Sequence, residues 1–147
     1  MKRLSRRATL KLGGVAIAAL AVAPAQARPE AEALIRDFAR GKVPQAAGLV
    51  LDIPELSENA NAVPVGIRID EKFSEARYCE EFLLIAENNP RPMACRFTFS
   101  SGTGMANIVT RIRLAESQTV IALARMSDGA ILTQRTAVTV TVGGCNG

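Results

Sequence analysis

The sequence has no histidine and no tryptophan, one tyrosine and three cysteines among its 147 residues. Without histidine there is no Ser-His-Asp or Cys-His catalytic pair and no imidazole metal ligand. A single aromatic hydroxyl and no indole argue against a platform that stacks bases or sugars. Three cysteines do not complete a four-cysteine zinc or iron–sulfur site within one chain. No cofactor motif is present and no metal site is assigned. The length suffices for one modest globular domain and is too short for two.

The net charge of +4 invites a nucleic-acid or membrane reading that the distribution of charge removes. Ser5-Arg6-Arg7-Ala8-Thr9-Leu10-Lys11 is a twin-arginine motif, followed by an apolar stretch from Gly13 to Ala23 and a small-residue cleavage site at Ala25-Gln26-Ala27. The apolar run is short for a spanning helix and is closed by Pro24. Residues 1–27 are therefore expected to be an export signal. They hold Lys2, Arg3, Arg6, Arg7 and Lys11 and no acid, so their removal leaves thirteen basic residues against 14 acidic ones, a formal charge of −1. The expected exported chain has no nucleic-acid partner and no membrane attachment. The twin-arginine route carries folded cargo, often with a cofactor or partner already bound. With no cofactor motif here, that argues for a pre-bound protein partner.

Downstream, the spacing predicts a short helix from Pro29 to Gly41, with Pro at its first position, Glu30 and Glu32 at the positive end of its dipole, and Gly41 as its stop. Leu34, Ile35, Phe38 and Ala39 make one apolar stripe, read as a face docked on the domain. After Gly48 the period is two. Strands are expected over 49–53, 65–69, 81–86, 95–99, 108–114, 120–126, 131–133 and 138–142, with a hairpin at Asp128-Gly129. The run from Glu81 to Ala86 is apolar throughout, as in a strand covered on both faces. About eight short strands at this spacing define an all-β sandwich with a short N-terminal helix. The expected organisation is a signal over 1–27, a β-sandwich over 28–142 and an arm over 143–147.

The arm holds the reactive group. The chain ends Gly143-Gly144-Cys145-Asn146-Gly147, with almost no side chains to pack and two glycines of wide backbone freedom before the thiol. Three residues past Val142 give that thiol a reach of roughly 10 Å, and its lack of bulky neighbours suits a narrow pocket on another protein. Nothing beside Cys145 lowers its pKa, since the nearest basic residue in sequence is Arg135. Activation has to come from a partner. From the residues alone two readings stand: a swinging arm that carries a covalently held group, and a structural or adaptor sandwich whose tail cysteine forms intersubunit disulfides. The cysteine is not a prenylation box, because only two residues follow it.

The tail Val140-Thr141-Val142-Gly143-Gly144-Cys145-Asn146-Gly147 resembles the end of the SoxY family, sulfur-carrier subunits of the Sox thiosulfate-oxidation system, which typically end Gly-Gly-Cys-Gly-Gly. The resemblance extends through Asn61–Gly66, Ala86–Pro92, Thr110–Ala115 and Ala124–Gly129, and the twin-arginine signal fits it. It implies an immunoglobulin-like antiparallel sandwich and a periplasmic carrier, not a catalyst. It places the covalent attachment of thiosulfate-derived sulfur on Cys145, with Gly143, Gly144 and Gly147 giving the arm its freedom. It also implies a heterodimer with a SoxZ-like subunit, and visits to c-type cytochrome, hydrolase and sulfur dehydrogenase components. Asn146 stands where the family has glycine and adds bulk beside the sulfur.

Cys79 and Cys95 are extra to that ending. If 81–86 and 94–99 pair about the Asn89-Pro90 turn, Cys95 faces Leu84, and Cys79 falls about five positions along on the other face. A disulfide between them then requires a bulge or another register. Cys95, sharing its face with Phe97 and Phe99, reads as a buried free thiol. Glu80 and Glu81 are expected to raise the pKa of Cys79. Arg111 and Arg113 read first as a solvated strand face, with guidance of anionic sulfur species or of a partner's acidic rim as the lesser reading, and Asp52, Asp70 and Asp128 as structural residues at strand ends or turns.

Overall fold

The computed structural model describes residues 28–70 and 76–141. The expected signal over residues 1–27 lies outside the described residues. Helix α1 (Pro29–Ala39) begins on its proline, carries Glu30 and Glu32 in its first turn, and ends where Arg40 adopts a left-handed backbone (φ 48°). The stop falls one residue earlier than Gly41, which follows with φ 79°. Eight strands come next: β1 (Leu49–Asp52), β2 (Leu56–Ser57), β3 (Val63–Ile69), β4 (Cys79–Ala86), β5 (Met93–Thr98), β6 (Asn107–Ile112), β7 (Gln118–Met126) and β8 (Ile131–Val140). They form a three-stranded sheet, β1-β3-β6, packed on a five-stranded sheet, β2-β8-β7-β4-β5. This is the expected immunoglobulin-like sandwich, antiparallel except for the short parallel pairing of β2 with β8.

Period-two alternation builds the core. Val63, Val65, Ile67 and Ile69 of β3 point inward against Phe82, Leu84 and Ala86 of β4 and Val120, Ala122 and Ala124 of β7. The intervening residues Leu83, Ile85, Ile121 and Leu123 emerge on the opposite face, where Ala31, Phe38 and Ala39 of α1 cover them. β4 and β7 are thus apolar throughout because both of their faces are dry. Leu34 and Ile35 pack at the margin of this second cluster, so the helical stripe is a docking face, as its spacing predicts. Burying side chains of this size stabilises by roughly 1.5–3 kcal/mol each.

Two strand expectations change. Residues 131–133 and 138–142 are not separate strands: β8 runs unbroken from Ile131 to Val140, paired with β7 from Arg125↔Ile131 to Gln118↔Val138. The polar stretch Gln134-Arg135-Thr136 looks like a break in sequence, yet its backbone is held by β7. β2 has no counterpart among the expected strands. It has two residues, too few for a period to register, and exists by pairing Leu56↔Thr139 and Ser57↔Val140. The Asp128-Gly129 hairpin is present, with Gly129 at φ 82°, the Ala130 N–H donating to Asp128 Oδ1 at 2.9 Å, and Arg77 Nε 2.7 Å from Asp128 Oδ2. The Ala130 N–H, and after it Arg77, hold the Asp128 carboxyl below its ordinary range.

Candidate functional site

Cys145, Gly143, Gly144, Gly147 and Asn146 lie outside the described residues. What the structure gives is the root from which that tail departs. The last turn of β8 is clamped on two sides. Thr139 N–H donates to Glu55 O at 2.7 Å and Thr141 N–H to Ser57 O at 3.1 Å, which is the purpose of the short β2 segment. On the other side Val140 N–H donates to Ser117 Oγ at 3.0 Å, and the same hydroxyl donates to Val140 O at 3.4 Å. The root is therefore fixed as far as Thr141, and Cys145 is four residues beyond it.

The loop that supplies Ser117 is itself braced. Gln118, buried at the start of β7, accepts the Asn88 N–H at 2.9 Å and donates to Asn89 Oδ1 at 2.9 Å and Glu116 O at 3.0 Å. Asn89 in turn donates to Arg113 O at 2.7 Å and accepts the Ala115 N–H at 2.8 Å. A buried polar side chain with satisfied hydrogen bonds on all sides rigidifies what it joins. Here it joins the β4–β5 turn, the β6–β7 loop and the end of β8 at one pole of the sandwich. Between the two loops is a cleft of about 400 Å³ lined by Asn89, Pro90, Arg91, Arg113 and Ala115. Sequence patterning treats Asn89 and Gln118 as ordinary turn and strand-end residues, because a polar pair 29 residues apart leaves no periodic trace.

The remaining cysteines lie elsewhere and are free. The expected register holds, with Leu84 opposite Cys95. The face expected for Cys79 does not. β4 bulges against β7 between Cys79 and Glu81, so Cys79 turns back into the intersheet core beside Phe82 and Leu84, the side against which Cys95 also packs. Five residues still separate Cys79 from the rung of Cys95, roughly 16 Å at ~3.3 Å per residue, far beyond disulfide geometry. Cys95 is half-buried and not fully buried as its pattern predicts, because β5 is the edge of its sheet. Burial raises its pKa.

Burial pushes the Cys79 thiol up to about 12, and the charges of Glu80 and Glu81 add to it. The neighbouring acids act in the expected direction but are the smaller cause. Because the folded thiol holds its proton where the unfolded one loses it, this contribution to stability is complete below about pH 8.5 and is lost as pH rises towards 12. Across that window the wild-type chain is expected to lose about 1.4 kcal/mol more stability per pH unit than Cys79→Ala. Urea melts at pH 8, 10 and 11 read this difference, and parallel slopes for the two chains would contradict it.

Among the described residues no group of three or more Cys, Asp and Glu side chains is arranged to hold a metal ion, and no helix is long and apolar enough to cross a membrane. Arg111 and Arg113 are exposed, as expected of an outer strand face. Asp70 pairs with Arg68 at 2.8 Å and Asp52 packs against Gly66, both structural roles.

The sandwich fold recurs in known structures. The sulfur carrier protein SoxY from Chlorobium limicola f thiosulfatophilum superposes with a TM-score of 0.61 at 18% identity, over 77% of this chain and 97% of that one. The superoxide reductase (neelaredoxin) from Ignicoccus hospitalis superposes with a TM-score of 0.57 at 18% identity, over 71% and 92% of the two chains. The superoxide reductase from Nanoarchaeum equitans gives 0.54 at 9% identity, over 65% and 100%. These likenesses define a shared sandwich fold and nothing finer. No curated protein matches the sequence.

The family is decided by sequence. Residues 34–145 match the model of the sulfur oxidation protein SoxY. The chain belongs to the SoxY family and is a sulfur-oxidation carrier protein, a subunit that works with partner proteins of the Sox system.

Proposed function

We propose that this chain is exported to the periplasm by its twin-arginine signal and there holds sulfur intermediates covalently on Cys145. The observation that carries the reading is that the family match extends to Cys145 itself, five residues past the end of β8, which Ser57 and Ser117 anchor. A fixed root and a glycine-bearing tip suit a thiol that has to enter other proteins' active sites. On this reading the Cys145 thiol and thiosulfate join as Cys–S–S–SO₃⁻, releasing one proton and two electrons to a c-type cytochrome component. Water then cleaves the terminal sulfonate as sulfate in a hydrolase component, leaving a persulfide for a sulfur dehydrogenase component. A SoxZ-like subunit completes the carrier, bound before export. Gly143, Gly144 and Gly147 supply the backbone freedom. Removal of the thiol, Cys145→Ser, tests the reading: thiosulfate-dependent turnover by the assembled system is expected to stop.

A further inference from the structure

The cleft between the two braced loops has a composition that the fold does not require. Its lining holds two arginines and no acid. Elsewhere Arg28 pairs with Glu116, Arg68 with Asp70, Arg77 with Asp128, and Arg96 and Arg125 with Glu81. Arg91 and Arg113 have no ion pair among the described residues. Both are placed by backbone constraints. Arg91 sits between Pro90 and Pro92, whose rings fix the turn, and Pro92 O accepts the Ala86 N–H at 2.8 Å. Arg113 is held through its carbonyl by Asn89 at 2.7 Å. Two arginines without an ion pair among the described residues, both lining one cleft that holds no acid, supply the donors and charge that an oxyanion with several acceptor oxygens takes.

The same loop carries the root of the tail. Ala115 lines the cleft and Ser117, two residues on, holds Val140. From Val140 to the cleft wall is therefore about 12 Å at most, while the four residues from Thr141 to Cys145 span up to about 14 Å. We propose that Arg91 and Arg113 form an oxyanion subsite for the sulfonate end of the adduct carried on Cys145. This rests on the carrier reading and adds to it a place on the chain's own surface where the charged cargo is held between enzymes. An uncharged or persulfide-bearing tail has no sulfonate to offer and leaves the cleft, so occupancy reports the oxidation state of the cargo.

The test needs no Sox enzyme. In a full chain carrying Cys95→Ala, tetrathionate at about pH 9, where an ordinary thiol ionises without a partner's help, loads Cys145: the thiolate attacks a sulfane sulfur, thiosulfate departs, and Cys–S–S–SO₃⁻ remains. With ¹⁵N-labelled arginine, loading is expected to shift the Nε–H signals of Arg91 and Arg113 and leave those of Arg68 and Arg135 in place. Dithiothreitol is expected to strip the adduct roughly three- to tenfold faster from the Arg91→Gln, Arg113→Gln double variant. Loss of positive charge alone would instead slow an attacking thiolate, so the sign separates docking from simple electrostatics. Unmoved arginine signals on a loaded chain overturn the subsite and leave the carrier reading intact. Free thiosulfate giving the same shifts to Cys145→Ser at low millimolar concentration also overturns it, assigning the cleft to free anions. A Cys145 that takes no adduct from tetrathionate overturns both.

Discussion

A chain bearing Cys145→Ser is expected to support no thiosulfate-dependent turnover by the assembled Sox system, while its unfolding free energy stays within about 0.5 kcal/mol of wild type. The two halves of this result follow from different levels of the structure. The fold is made by the β3, β4 and β7 rows of the core and by α1, none of which involves residue 145. The chemistry needs a sulfur atom that can form and break bonds to another sulfur, which a serine hydroxyl does not supply. Cys95 and Cys79 do not substitute, since one is half-buried on the sheet edge and the other is deep in the core with its proton held to about pH 12. If the tail cysteine served only to cross-link subunits, the same variant would lose a disulfide dimer and keep its turnover. Normal turnover would end the carrier reading.

The largest expected effect on stability lies at the opposite pole. Glu81 is a buried carboxylate on the helix-facing side of β4, with Arg125 Nη2 at 2.9 Å and Arg96 Nη1 at 3.1 Å. Arg125 is only 13% exposed in its side chain and stacks over the Phe38 ring at 4.5 Å, so one carboxylate neutralises the cation that seats the end of α1. Its Nε finds no hydrogen-bond partner among the described residues, which leaves Glu81 as the acceptor on which this guanidinium depends. Glu81→Ala strands that charge, and a cost of about 3 kcal/mol is expected, a fall of roughly 10 °C in Tm for a domain of this size. Replacing both partners, Glu81→Leu with Arg125→Met, should recover most of the loss, because the cost is that of an orphaned charge and not of a missing attraction. Thermal unfolding of the single and double variants checks this. A single variant within about 0.5 kcal/mol of wild type, or a double variant no better than the single, would contradict it.

Periodic features were legible in the sequence and long-range polar ones were not. The alternation of Val63 to Ile69, the doubly apolar run into Ala86 and the stripe on α1 each state their own burial, since a period of two or 3.6 is a local property of the chain. The Leu84–Cys95 register was readable from the Asn89-Pro90 turn. The face of Cys79 was not, because one extra residue in a bulge reverses everything beyond it, and nothing local in Cys79-Glu80-Glu81 announces it. β8 hid its middle behind Gln134, Arg135 and Thr136, whose polar side chains say nothing about a backbone held by β7. The pole around the tail was the least readable part. Ser117, Gln118 and Asn89 act through long-range hydrogen bonds that span 23 to 30 residues, and the Arg91–Arg113 cleft exists only once those loops meet. The chemical group itself, by contrast, was plain. A cysteine that follows two glycines in a chain without histidine has few uses, and the family match that extends to Cys145 narrows them further.

The most direct test of the account is the mass of the C-terminal tryptic peptide, Thr136–Gly147, taken without reductant from cells oxidising thiosulfate. The predicted result is a population carrying thiosulfonate or persulfide on Cys145 that collapses to the free thiol on reduction. A peptide found only as free thiol or as a disulfide-linked dimer, in cells that are consuming thiosulfate, would contradict it.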